Sequence, residues 1–175
     1  MKDCRIRHAV TTDLSALARM RRALQECIKA CDPVVWRLSP QLIDGLEQHY
    51  AGILAQNTNR IFLAVDETDR PVGMLMVRIL DNPNIEPRLV GRIDDAWVEP
   101  DFRHRGIMRA LTETCCRFLK ERNVPVVTLD WAVHNQTSVY CWRKLGFEPR
   151  LAIGFTTPAA VLTGSNHKGA ITDET

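Results

Sequence analysis

The stretch from Arg88 to Val133 constrains the chain most. "RLVGRIDDAWV" has the length and apolar content of a β-strand, and Glu99-Pro100 stops it, because proline has no N–H to give to a ladder. "RHRG" then turns the chain into an amphipathic helix. Ile107, Ala110, Leu111, Thr114, Cys115, Phe118 and Leu119 repeat at helical spacing along it, while Arg109, Glu113 and Arg117 face away. Asn123 and Pro125 end that helix. "VVTLDWAV" follows as a nearly continuous apolar run, as expected of a strand covered on both faces. Strand, basic turn, helix, strand at this spacing is a βαβ crossover, so the two strands must be parallel neighbours in one sheet.

The rest of the chain supplies what such a unit packs against. "CRIRHAV" reads as a first strand, and Thr11 or Thr12 is placed to cap a helix whose apolar face runs Leu17, Met20, Leu24, Cys27, Ile28 and Cys31. Asp32-Pro33 stops it. Ser39-Pro40 has the cap and first-turn pairing for a second helix, with Leu42, Ile43, Leu46, Tyr50, Ile53 and Leu54 on one side. "RIFLAV" and "PVGMLMVRIL", separated by the polar turn "DETDR", predict an antiparallel hairpin, and "DNPNIEP" a loop. A short helix over "NQTSVYCWRKL" ends at Gly146, and "FEPRLAIGFTTPAAVL" offers one or two final strands. Residues 165–175 are polar and read as a loose tail. The expectation is one domain over residues 1–175, without repeats or linkers.

Composition removes whole classes. Of 175 residues, 45% are hydrophobic and 25% charged, which excludes a disordered or collagen-like chain. The formal net charge of +2 is too small for a nucleic-acid or membrane surface, so the basic residues matter through their position. No run reaches the roughly 18 apolar residues of a membrane span, and "MKDCRIRHAV" has no signal-peptide core, which makes the cytoplasm the default location. The six cysteines, at 4, 27, 31, 115, 116 and 141, form no C-x-x-C pair and no zinc spacing, and read as reduced core thiols with no metal implied.

The strongest chemical signal is Arg103-x-x-Gly106 at the start of the third helix. Unpaired N–H groups and the positive end of the helix dipole already favour an anion there. Arg103, Arg105 and Arg109 add charge, and Gly106 lets the backbone approach closely, so a phosphate is the expected ligand. The turn fits neither a P-loop nor G-x-G-x-x-G. Taken alone, it also fits a solvated basic first turn.

In its context the segment resembles the acetyl-CoA-dependent GNAT N-acetyltransferases. "IDDAWVEPDFRHRGIMRAL" is similar to that family's fourth strand, V-x-P, R-x-x-G-x-G/A turn and following helix. "VVTLDWAVHNQTSVYCWRKLGF" is similar to its fifth strand, N-x-x-A/S and terminal G-F. The likeness is close from Ile93 to Phe147 and weaker in "IRHAVTTDLSAL" and the central hairpin. Two positions depart from it: Met108 stands where the family has a second small residue, and Trp142 where many members have a tyrosine acid.

The resemblance implies an α/β fold with a mixed, mostly antiparallel sheet, a splayed strand pair and helices on both faces. It implies that acetyl-CoA enters the splay as co-substrate, with its pantetheine arm on the backbone of Ala96, Trp97 and Val98. The pyrophosphate is then expected over the segment Arg103, His104, Arg105, Gly106, Ile107, Met108 and Arg109, and Asn135 and Trp142 beside the coenzyme. A backbone N–H near Trp97 would polarise the thioester carbonyl, the amine attacking directly.

Asp94 and Asp95 precede "AWV", and strand alternation is expected to send them to opposite faces, one towards the cleft as a site for an ammonium group or a general base acting through water. "DDAWV" resembles family members that acetylate polyamines and aminoglycosides, which makes a small cationic amine the expected acceptor. Salt-bridged or solvated aspartates are the structural alternative. Tyr140 is a weak candidate acid, being about 200° round the helix from Trp142. His104 and His134 lie in turns and read as surface residues. Other readings carried forward are a non-catalytic acyl-CoA-binding domain, for which Trp142 argues, and an acceptor amine on a protein. A homodimer is among the expected assemblies, and neither nucleic acid nor membrane is an expected partner.

Overall fold

In the computed structural model, which describes residues 4–32, 34 and 36–162, five strands form one sheet in the order β1-β2-β3-β4-β5. β1 (Arg5–His8), β2 (Asn59–Val65), β3 (Pro71–Asp81) and β4 (Leu89–Val98) pair antiparallel, and β5 (Val126–Leu129) lies parallel to β4. The crossover between those last two is α4 (Ile107–Lys120). The βαβ unit is therefore present, and the sheet is mixed and mostly antiparallel.

Alternation along β2 sends side chains to two separate cores. Phe62 and Ala64 join Leu75, Val77, Ile93, Leu111, Cys115 and Leu119 beneath α4. Ile61, Leu63 and Val65 face the other way, against Leu17 and Met20 of α1 (Leu14–Cys31) and Leu46 and Tyr50 of α3 (Leu46–Leu54). Each fully buried Leu, Ile or Phe contributes about 1.5–3 kcal/mol relative to exposure, so these layers hold the sheet between helices on both faces. A Cβ at Gly91 would lie 2.5 Å from Leu119 Cδ1; glycine there lets α4 settle onto β4.

Several local expectations are corrected. Neither threonine caps α1. A 3-10 turn over Thr11–Asp13 precedes it, and the buried Asp13 carboxylate accepts from the Val10 amide at 2.8 Å and from Arg7 at 2.7 and 2.9 Å. The second helix is two: α2 (Pro40–Asp44), capped by Ser39 Oγ accepting from the Leu42 amide at 3.2 Å, and α3, with Gly45 at the break. Glycine weakens a helix interior by about 1 kcal/mol relative to alanine, enough to favour the break there.

β5 is only four residues long and partly exposed, because it is a sheet edge and parts from β4 after Leu129. After α5 (Gln136–Lys144) the segment 147–157 forms no strand, and α6 (Pro158–Leu162) follows. Leu151, Ile153 and Phe155 keep the alternation that suggested a strand, but they are exposed and take no place in a ladder. The tail, 165–175, lies outside the described residues.

Cys27, Cys31, Cys115, Cys116 and Cys141 are free thiols. Burial pushes Cys115 up to about 12, whereas Cys116 is exposed rather than in the core. Among the described residues no helix is long and apolar enough to cross a membrane.

Candidate active site

The site is created by one extra residue in β4. Leu75 of β3 pairs with Ala96 and Val77 with Ile93, so two steps along β3 match three along β4. Such a bulge bends the strand and resets its alternation. Ile93, before it, faces the α4 core, and so do Ala96 and Val98 after it, whereas Trp97 faces α1 and α3. Both intervening residues, Asp94 and Asp95, consequently line the same cavity instead of opposite faces. The pairing of β4 with β5 also ends here, at Ile93 and Leu129. Beyond that point the strands diverge and a cavity of about 330 Å³ opens between them.

Neither carboxylate is free. Asp94 accepts from Arg78 Nε at 2.5 Å and Nη2 at 2.9 Å, and from Arg92 Nε at 3.1 Å, while Arg92 also reaches Asp130 at 2.5 Å. The hydrogen bond to Asp94 raises the Arg78 guanidinium above its usual value. Asp95 is buried, paired with Arg21 Nε at 3.1 Å and accepting from Tyr50 Oη at 2.9 Å. Burial pushes the Asp95 carboxyl up, and Arg21 and Tyr50 pull it back. Burial and the Asp95 charge raise the Tyr50 phenol as well. The expectation of a cationic acceptor stood on unneutralised carboxylates; three arginines, Arg21, Arg37 and Arg92, line the cavity beside Asp94, Asp95 and Asp130.

The basic turn sets the start of α4. His104 (φ 60) and Gly106 (φ 78) both take left-handed conformations, and the first helical bond runs from the Ala110 amide to the Gly106 carbonyl. The amides of Ile107, Met108 and Arg109 thus belong to the first turn, where N–H groups have no intrahelical acceptor. Met108 packs against the core beneath α4, which is how a large residue is tolerated in this turn. Arg103 is a brace as well as a charge: Nε donates to the Val98 carbonyl at 3.0 Å and the guanidinium lies 4.7 Å from the Trp97 ring centroid. Arg105 donates to the Asp101 carbonyl at 2.6 Å, and Arg109 lies 3.8 Å from Glu113 on the exposed side.

Asn135 and Trp142 both line the cavity. Asn135 also caps α5, its Oδ1 accepting from the Ser138 amide at 3.1 Å, so N-x-x-S is in this chain a helix N-cap. Trp142 is buried, with its ring 5.5 Å from Phe147 and nearly perpendicular to it. Tyr140 is 61% exposed, sits under Lys144 Nζ and does not line the cavity, as its angular offset from Trp142 requires. His104 and His134 are exposed, and neither lines it.

The model of the acetyltransferase (GNAT) family matches residues 21–147. The chain belongs to that family. It is 34% identical over 89 residues to an uncharacterized N-acetyltransferase of Methanocaldococcus jannaschii, a match covering 51% of this chain and 39% of that protein. It is 35% identical over 89 residues to a mycothiol acetyltransferase of Saccharomonospora viridis, covering 50% and 29%. The matched segment is thus well under half of either relative. Among solved structures, an aminoglycoside N-acetyltransferase, AAC(6')-Iy in complex with CoA, superposes with a TM-score of 0.71 over 90% of this chain and 95% of that one, at 19% identity. The fold is shared at that distance, and this acetyltransferase domain has the splayed pair of strands that the family resemblance implied.

Sequence reading missed Arg21, Trp36, Arg37, Tyr50, Arg92, Asp130 and Trp131 as cleft residues or their direct partners. One carried a signal: Arg21 lies four residues after Leu17 and three before Leu24, a charge on the apolar stripe of α1, and such a residue needs a buried partner.

Proposed function

We propose that this domain transfers the acetyl group of acetyl-CoA to the primary amine of a small molecule by direct attack. The observation that carries the reading is the parting of β4 and β5 at Ile93 and Leu129, immediately before the bulge, with a cavity at the parting and a left-handed glycine turn leading into α4. Acetyl-CoA, when bound, supplies the activated thioester. The stretch Ala96, Trp97 and Val98, which no longer pairs with β5, is suited to its amide arm. The turn from Arg103 to Arg109 is suited to its phosphates, and Asn135 and Trp142 flank the coenzyme side.

Asp94 and Asp95 set the charge around the amine by fixing Arg78, Arg92 and Arg21, and the amine's proton leaves to water. Activity should therefore rise with pH as the bound ammonium deprotonates. No phenol is needed. The coenzyme thiol resembles a cysteine, with a pKa of about 8.5, and departs near neutral pH without a positioned acid.

One observation favours a second reading, a non-catalytic acyl-CoA-binding domain: of the two tyrosines, Tyr140 points away and Tyr50 is committed to Asp95. The test has two arms. Acetyl-CoA at 100 times its dissociation constant should add about 2.7 kcal/mol of stability by mass action. Thiol release should then follow with amino acids, polyamines, aminoglycosides or lysine peptides. Stabilisation without release from any amine supports the binding domain, and no stabilisation at millimolar acetyl-CoA refutes both readings.

A further inference from the structure

We propose that the acceptor half of the cleft takes a compact amine with an apolar body and a carboxylate, as in a hydrophobic amino acid, and that Arg37 receives the carboxylate. The inference deepens the acetyltransferase reading and rests on it. Three of the chain's four tryptophans, Trp36, Trp131 and Trp142, line this one cavity. Trp142 is buried, against Phe147. Trp36 is 40% exposed and held at φ 49, a left-handed conformation that is a genuine outlier for a bulky aromatic. Leu24 and Ile28 of α1 and Leu38 add further apolar lining.

Charge pairing sets the rest of the ligand. Asp94 is taken by Arg78 and Arg92, Asp130 by Arg92, and Asp95 by Arg21. Among the described residues, Arg37 is the arginine of the cavity without an ion pair, and it is exposed to the cleft. A polycation entering here would meet no uncommitted carboxylate and one uncommitted guanidinium. A substrate carboxylate instead meets a planar fork whose geometry it matches in two parallel hydrogen bonds. Size points the same way, since about 330 Å³ lies near the lower end of the range of about 300–1,000 Å³ for ligand cavities, and the acetyl end of the coenzyme must share it.

In the transfer, the substrate ammonium loses one proton to solvent and its nitrogen bonds to the acetyl carbon. The carbon–sulfur bond breaks with its electron pair on sulfur, and the second nitrogen proton ends on that thiol.

The experiment measures thiol release under saturating acetyl-CoA with phenylalanine, leucine, phenethylamine, spermidine and kanamycin, using the parent and Arg37→Ala, with acetyl-CoA thermal stabilisation recorded for both. The expected result is a kcat/KM for phenylalanine at least tenfold above that for phenethylamine and above those for spermidine and kanamycin. In Arg37→Ala the ratio of phenylalanine to phenethylamine should fall about tenfold, through KM. A higher kcat/KM for spermidine or kanamycin, or an unchanged ratio in the variant, overturns the acceptor assignment while leaving the acetyltransferase reading in place. If no amine is acetylated although acetyl-CoA stabilises the chain, the assignment falls together with that reading.

Discussion

Replacing Arg21 with methionine probes the buried cluster beneath the cleft. The substitution keeps much of the side-chain volume but leaves Asp95 with Tyr50 as its remaining direct partner. Breaking a buried ion pair from one side costs about 3–5 kcal/mol, because the other charge stays desolvated. For a domain of this size, each kcal/mol is about 2–4 °C in Tm, so the expected loss at pH 7 is about 6–20 °C. The loss should also depend on pH in a definite direction. Burial already raises the folded-state Asp95 carboxyl, and removing Arg21 raises it further. Stability tied to a raised carboxyl is present below the unfolded pKa, about 3.9, and is lost as pH rises through the folded value. The gap between variant and parent should therefore be smallest near pH 4 and widen towards pH 7. Thermal unfolding followed by circular dichroism across that range is the assay, with Arg21→Met/Asp95→Asn expected to recover most of the loss. A gap below about 1 kcal/mol at pH 7, or one independent of pH, would refute the reasoning.

Asp13→Ala removes a carboxylate that accepts from Arg7 and the Val10 amide, and should cost about 1–3 kcal/mol in chemical denaturation. Arg7 holds the Asp13 carboxyl below its ordinary value, so the parent's advantage is present above the unfolded pKa and should vanish as pH falls through the folded one. Gly106→Ala meets no neighbouring atom, yet at φ 78 it should cost about 1–2 kcal/mol and weaken acetyl-CoA in calorimetry; Gly106→Asp should abolish binding. Tyr140→Phe should retain most of the rate with the best amine, and a hundredfold loss in a folded variant would make Tyr140 the acid.

Local pattern alone determined much of this protein. The 3.6-residue repeat of α4, the stop at Glu99-Pro100, the Ser39 cap and the parallel crossover all follow from residues close together in the chain, and all are found in the fold. So does the glycine turn, because a basic helix start with one permissive residue is a local arrangement. What the sequence could not give is the character of the cleft. Period-two reasoning sends Asp94 and Asp95 apart, and only the mismatch of β4 against β3 brings them together. Apart from Arg92, two residues from Asp94, their partners lie far off in sequence: Arg78 is 16 residues from Asp94, and Tyr50 is 45 from Asp95. An ion pair depends on distance in space: the β3–β4 register brings Arg78 to Asp94, and the packing of α1 and α3 on the sheet brings Arg21 and Tyr50 to Asp95. The C-terminal run makes the same point from the other side. Leu151, Ile153 and Phe155 alternate as a strand should, but alternation describes only the faces of a strand, and a ladder also needs a neighbouring backbone to accept its hydrogen bonds.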